Sequence, residues 1–286
     1  MSHKSLEIRD RRNFYLDEGT GEPIVLPHCI SGSSSAWKPV IARLSEDYRA
    51  LAPDLLGYGR NATWPRGAAL RLDDELAVVD TLLDLAGRPV HLVGHSYGGT
   101  VALAAAQRFA KRIAGLTLIE PVAFHLLRGA DQPDGWREIS ALAERHIALV
   151  DDGQDAAAAE LFMAFWMGPA AWQYLPEAMR NSFIRTMPKV AAEWRLMFAT
   201  NDDLGRIAEI DISTLLICGG RTREPARRVI EILRATLPDA CYFEIADAGH
   251  MSPISHPMAV ADAIRRHHRV FGNQVDTARY ASTTAQ

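Results

Sequence analysis

The feature that most constrains this chain is an alternation. Short apolar runs bounded by glycine or proline recur between longer segments whose apolar residues share one helical face. The runs are PIVLP (23–27), YRALAPD (48–54), PVHLVGH (89–95), IAGLTLIEP (113–121), ISTLLICGG (212–220) and CYFEIA (241–246). Runs this short and apolar throughout read as strands buried on both faces. Between them lie RLDDELAVVDTLLDLAG (71–87), GGTVALAAAQRFA (98–110), EPARRVIEILRATLP (224–238) and HPMAVADAIRRHHRVFG (256–272), each apolar on one side and charged on the other. Strand alternating with helix predicts an α/β fold, a mostly parallel doubly wound sheet covered on both faces. NFYLDEG (13–19) reads instead as part of an antiparallel edge hairpin.

The alternation stops between about Val122 and Arg206, where the chain turns helical and rich in Trp, Phe and Met. This reads as a helical cap (122–207) inserted into a core made of 1–121 and 208–286. Most of its aromatics are expected to be the cap's own core. A minority should line a pocket: Phe124, Phe162, Phe165, Trp166, Trp172 and Met167, facing Cys29 and Met251 of the core. From Val275 onward the small polar residues predict a loosely held tail.

Composition limits the partners. With 286 residues, 48% of them hydrophobic, the chain can bury a core of the size a single α/β domain needs. Net charge is -4, and the basic residues are scattered apart from Arg11–Arg12 and Arg265–Arg269, so no nucleic-acid groove is expected. No run approaches the roughly 18 apolar residues of a membrane span. The opening MSHKSLEIRD lacks an apolar signal region, which predicts a cytoplasmic protein with a small-molecule substrate and no membrane partner. Monomer and homodimer both stay open. Cys29, Cys218 and Cys241 have no metal or disulfide spacing and read as buried free thiols.

The chemistry centres on Gly94-His95-Ser96-Tyr97-Gly98-Gly99, directly after the strand PVHLV and directly before a small-residue helix. A strand that turns sharply into a helix pushes the middle side chain above the sheet, which marks Ser96 as a nucleophile. A serine hydroxyl needs a base. Of ten histidines, His250 is the candidate, because ADAGHMSP follows the last strand at the same sheet edge. His91, His95, His267 and His268 read as packed or solvated, and so do His125 and His146 in the cap. An oxyanion needs two preorganised N–H donors. Tyr97 supplies one, and the loop Pro27–Ser35 supplies the other, through Ile30 first and Cys29 next. Asp54 reads as a turn-stabilising acid.

These segments together resemble the α/β-hydrolase superfamily: PHCISGSSSAW, APDLLGYGR, LVGHSYGG, LTLIEP and DAGHMSP cover essentially the whole chain. The resemblance implies a Ser, acid, His order. Two positions depart from it. Cys29 follows His28 where many relatives have glycine. Thr222 stands where relatives commonly have the acid after the seventh strand. A subset of the superfamily takes its acid from the end of the sixth strand, which here is Glu120, with Glu224 and Asp247 as the other candidates.

The implied activity is hydrolysis of a carboxylic ester with a small to medium apolar or aromatic group, through an acyl-enzyme and without metal or organic cofactor. Lactone hydrolysis, carbon–carbon hydrolysis of a diketone and cofactor-free perhydrolysis use the same groups. A serine at the elbow disfavours haloalkane dehalogenase and epoxide hydrolase chemistry, whose members use Asp there. A non-catalytic small-molecule receptor is the reading of a different class.

Overall fold

A computed structural model gives the architecture over residues 2–128, 133–200 and 204–269. The expected tail from Val275 lies outside these described residues. Eight strands form one sheet in the order β1-β2-β4-β3-β5-β6-β7-β8: β1 (Ser2–Ile8), β2 (Arg11–Glu18), β3 (Glu22–Val25), β4 (Tyr48–Pro53), β5 (Val90–His95), β6 (Ile113–Ile119), β7 (Thr214–Gly219) and β8 (Ala240–Ile245). β1 and β2 make the edge hairpin and β2 meets β4 antiparallel; every other pairing is parallel. The order reverses at β3, which pairs β4 on one side and β5 on the other. Loops leaving adjacent strands diverge there and open a crevice at the carboxyl ends.

Eleven α-helices lie among the described residues: α1 (Lys38–Leu44), α2 (Leu72–Ala86), α3 (Tyr97–Phe109), α4 (Pro133–Asp151), α5 (Asp155–Met167), α6 (Ala171–Tyr174), α7 (Glu177–Ala199), α8 (Leu204–Ala208), α9 (Glu224–Thr236), α10 (Ser252–Ser255) and α11 (257–269). Alternate strand residues feed two cores. Ile24, Val93, Ile119 and Ile217 pack with Trp37 just before α1, with Ile41 of α1 and with Val260 and Ile264 of α11. Val25, Leu92, Leu118 and Leu216 pack with α2, α3 and α9 on the opposite face. Truncating one such leucine costs about 2–5 kcal/mol. β8 departs from expectation. It is the sheet's edge and is buried at Ile245 but not along its length, so Cys241 is exposed while Cys29 and Cys218 are buried.

Between β6 and β7 the chain runs through α4 to α8. It is fastened to α2 by an ion cluster that amphipathic patterning assigns to the solvent face. Lys189 of α7 donates to Glu75 of α2 and, at 2.9 Å, to Glu193. All three side chains are 0% exposed. The Tyr58 hydroxyl donates to Glu193 at 2.7 Å. The Lys189 ammonium also lies 5.2 Å from the Tyr58 ring centroid and 5.1 Å from that of Tyr97. Burial disfavours the ammonium, but Glu193 and Glu75 outweigh burial and hold Lys189 above the usual lysine value. One cation facing two carboxylates leaves one acid under-compensated: burial pushes Glu193 up to about 7, against the pull of Lys189.

Candidate active site

Ser96 sits between β5 and α3 with φ 57° and ψ -119°. Non-glycine residues avoid this region, at a cost of about 1–3 kcal/mol, so the surroundings must impose it. They do so through hydrogen bonds: the Ser96 N–H donates to Ile119 O at 2.9 Å, while its carbonyl accepts from Thr100 and Val122. Close packing adds to this. A Cβ at Gly94 would lie 2.3 Å from Gly98 O, and one at Gly98 would lie 2.3 Å from Pro27 O.

The bend aims the hydroxyl at His250. Ser96 Oγ is 2.9 Å from Nε2, and Nδ1 is 2.7 Å from Glu120 Oε2. A carboxylate at Nδ1 fixes the proton on that nitrogen, so the serine hydroxyl donates to Nε2. Glu120 follows β6 at φ 42° and is 0% exposed. It accepts from Gly219 N at 2.7 Å and from the Thr222 hydroxyl. Burial works against its charge, but the bonds from His250, Thr222 and Gly219 outweigh burial and hold the carboxyl below its ordinary value. Thr222, where the resemblance would place an acid, instead donates to Glu120. Glu224, on α9, pairs with Arg228, and Asp247 pairs with Arg221 at the surface. Neither reaches His250.

His95 does not face the Ser96 hydroxyl. Its Nε2 donates to the His250 carbonyl at 2.7 Å, and burial, aided by neighbouring His250, lowers it to about 3, so it holds the backbone of His250 as a neutral ring. His28 is likewise neutral, pushed down to about 4 by burial, and both its nitrogens are used: Nδ1 donates to Cys29 O and Nε2 accepts from Leu55 N. The loop after β3 is thereby tied to the segment after β4. Asp54 accepts from the N–H groups of Ser34 and Arg60, the turn role expected of it. Cys29 adopts an ordinary negative φ, so its side chain is tolerated where relatives have glycine. Burial raises its thiol to about 12, which leaves it protonated. Among the described residues, neither the Ile30 nor the Tyr97 N–H has a protein acceptor. Tyr97 opens α3, where N–H groups point out of the helix.

Above Ser96 lies a cavity of about 260 Å³. Cys29, Phe162, Trp166, Met167 and Met251, which the sequence reading places at a pocket, line it, and so does Ile30. Three expectations fail. Phe124 is 0% exposed and stacked between Trp166 and Trp194, one layer behind the wall. Phe165 turns away to lie under the Arg223 guanidinium, 4.2 Å from its centroid. Trp172 packs against the core cluster instead. Met163, Leu175, Met179, Phe183 and Ile254 take their places. No residue type distinguishes a wall from the layer behind it: the helical phase of α5 and α7 would have found Met163, Met179 and Phe183, while Leu175, between α6 and α7, and Ile254, on α10, carry no such signal. Arg223 also donates to Glu138 and to Phe165 O, joining the loop after β7 to α4 and α5. His125 and His146 lie outside the cavity. Among the described residues, no group of three or more His, Cys, Asp or Glu is arranged to hold a metal, and no helix is long and apolar enough to cross a membrane.

Comparison with known proteins agrees with the fold. At 27% identity over 266 residues, covering 88% of this chain and 90% of the relative, the sequence is similar to haloalkane dehalogenase 2 of Mycobacterium tuberculosis. It is 25% identical over 243 residues to Lipase 3 of Moraxella sp., covering 82% of this chain and 73% of the lipase. A thermophilic esterase from Thermogutta terrifontis superposes with a TM-score of 0.72 at 25% identity, over 95% of this chain and 99% of that one. The model of the alpha/beta hydrolase family matches residues 24–263. The chain therefore belongs to the α/β-hydrolase family.

Proposed function

We propose that this enzyme hydrolyses carboxylic esters of small to medium apolar acyl groups through an acyl-serine intermediate. The observation that carries the reading is the unbroken hydrogen-bonded line from Ser96 through His250 to Glu120. Ser96 Oγ attacks the acyl carbon as its proton passes to Nε2 of His250. The imidazolium then protonates the leaving alcohol, and water repeats the cycle on the acyl-enzyme. Glu120 orients the ring and offsets its positive charge. The Ile30 and Tyr97 N–H groups receive the oxyanion.

The substrate class rests on the cavity, whose lining includes no Lys, Arg, Asp or Glu. An acyl group with a charge would lose its hydration there without a partner. Phe162, Trp166, Met179 and Phe183 all come from the segment between β6 and β7, which is why residues 122–207 are taken as the cap of the site. A dehalogenase reading, which the Mycobacterium relative invites, would need a carboxylate at the elbow, and the residue there is Ser96.

The test is hydrolysis of p-nitrophenyl butyrate by the parent and by Ser96→Ala. Parent turnover that disappears in the variant, with the melting temperature kept, supports the reading. Turnover retained by Ser96→Ala overturns it.

A further inference from the structure

The base is held by more than its two ring nitrogens. The indole of Trp166, on α5, stacks on the His250 imidazole with ring centroids 3.9 Å apart and planes 22° from parallel. Phe124 lies behind Trp166 at 6.4 Å and 18°, and Trp194 lies behind Phe124 at 6.1 Å and 16°. Phe124 and Trp194 are both 0% exposed, so a buried column backs the indole. Phe165 meets the indole edge-on at 5.0 Å and is itself covered by Arg223.

We propose that Trp166 is a positioning residue for His250: its stacked face holds the imidazole in the one plane that meets both Ser96 and Glu120, and it stabilises the imidazolium formed when the serine proton arrives. The inference rests on the serine-hydrolase reading. Rotation about the terminal torsion of a histidine side chain is soft, so two end-on hydrogen bonds gain precision from a flat surface against the ring. The charge that appears on the ring during turnover lies against an aromatic face in a water-poor site, where a cation gains most from it. Trp166 also lines the cavity. A wall needs only apolar area, which leucine supplies, whereas a face parallel to the imidazole needs an aromatic ring. That difference separates the two roles.

The experiment compares the full-length parent with Trp166→Leu and Trp166→Phe. Two readouts are taken: steady-state hydrolysis of p-nitrophenyl butyrate, and the second-order rate at which diisopropyl fluorophosphate modifies Ser96. Trp166→Leu is expected to lose about tenfold in both kcat and labelling rate, with KM moving by less than about threefold. Trp166→Phe should recover most of both losses, and it carries the test if the leucine variant fails to fold. A rise in KM with an unchanged labelling rate would make Trp166 a wall and overturn the proposal, as would a phenylalanine variant no better than the leucine one. A parent that labels at Ser96 but turns over no ester overturns the ester reading alone, and the labelling rates still decide the role of Trp166. A parent inert to the probe overturns both.

Discussion

Replacing Lys189 by methionine isolates what fastens α7 to α2. Methionine is close to lysine in length and volume, so the substitution opens no large cavity, and the change is the loss of a positive charge between Glu75 and Glu193. Both acids are 0% exposed and remain behind. Breaking a buried ion pair by removing one partner costs about 3–5 kcal/mol, because the surviving charge is uncompensated. In a chain of this size that is a fall in melting temperature of ~10 °C. The loss must also depend on pH, since two stranded carboxyls escape the penalty by taking up protons. The variant should therefore be most damaged near pH 8 and should approach the parent near pH 5. Thermal melting followed by tryptophan fluorescence at both pH values measures this. A variant melting within about 2 °C of the parent at pH 8, or a deficit equal at both pH values, would refute the assignment of Lys189 as the neutralising charge.

The parent should itself show a milder form of this dependence. Glu193 is raised from 4.5 to about 7 in the folded chain. A raised carboxyl contributes stability that is complete below pH 4.5 and is lost as pH climbs through about 7, on the order of 3 kcal/mol; Glu193→Gln should flatten that slope in melts between pH 4.5 and 8. Glu120→Gln should lower kcat by about 10⁴-fold by favouring the wrong imidazole tautomer, while Glu224→Gln leaves it unchanged; the reverse result would move the acid to α9. Thiol titration of the native protein should count one fast-reacting cysteine, Cys241, because burial raises Cys29 and Cys218 to about 12. Three fast thiols would mean that the cavity wall at Cys29 and the core at Cys218 both open readily.

The parts of this molecule legible in its sequence are those where one residue type has one physical use. Glycines at 94 and 98 are legible because a side chain there collides with backbone. The parallel strands are legible because both their faces are buried, which leaves a continuous apolar run. His250 is legible from its place just past the last strand. Glu120 is legible only through the resemblance, since a lone glutamate after a strand serves equally well as a turn acid. Apolar residues of the insertion are ambiguous: Phe124 and Trp166 are alike in composition and three-dimensional neighbourhood, yet one faces the cavity and the other stands behind it. Glu75 and Lys189 are the reverse case. Charges on an amphipathic helix read as solvated, and only tertiary contact between α2 and α7 turns them inward.

Because the carboxylate that meets His250 comes from the end of β6, the turn after β7 carries a different duty. Thr222 reaches inward to the glutamate, and its immediate neighbour Arg223 reaches outward to α4 and α5. Two consecutive residues thus serve as hinge pin and latch. An insertion or deletion there would disturb the anchor of Glu120 and the seating of α4 and α5 together, so this short turn should tolerate changes of residue far better than changes of length.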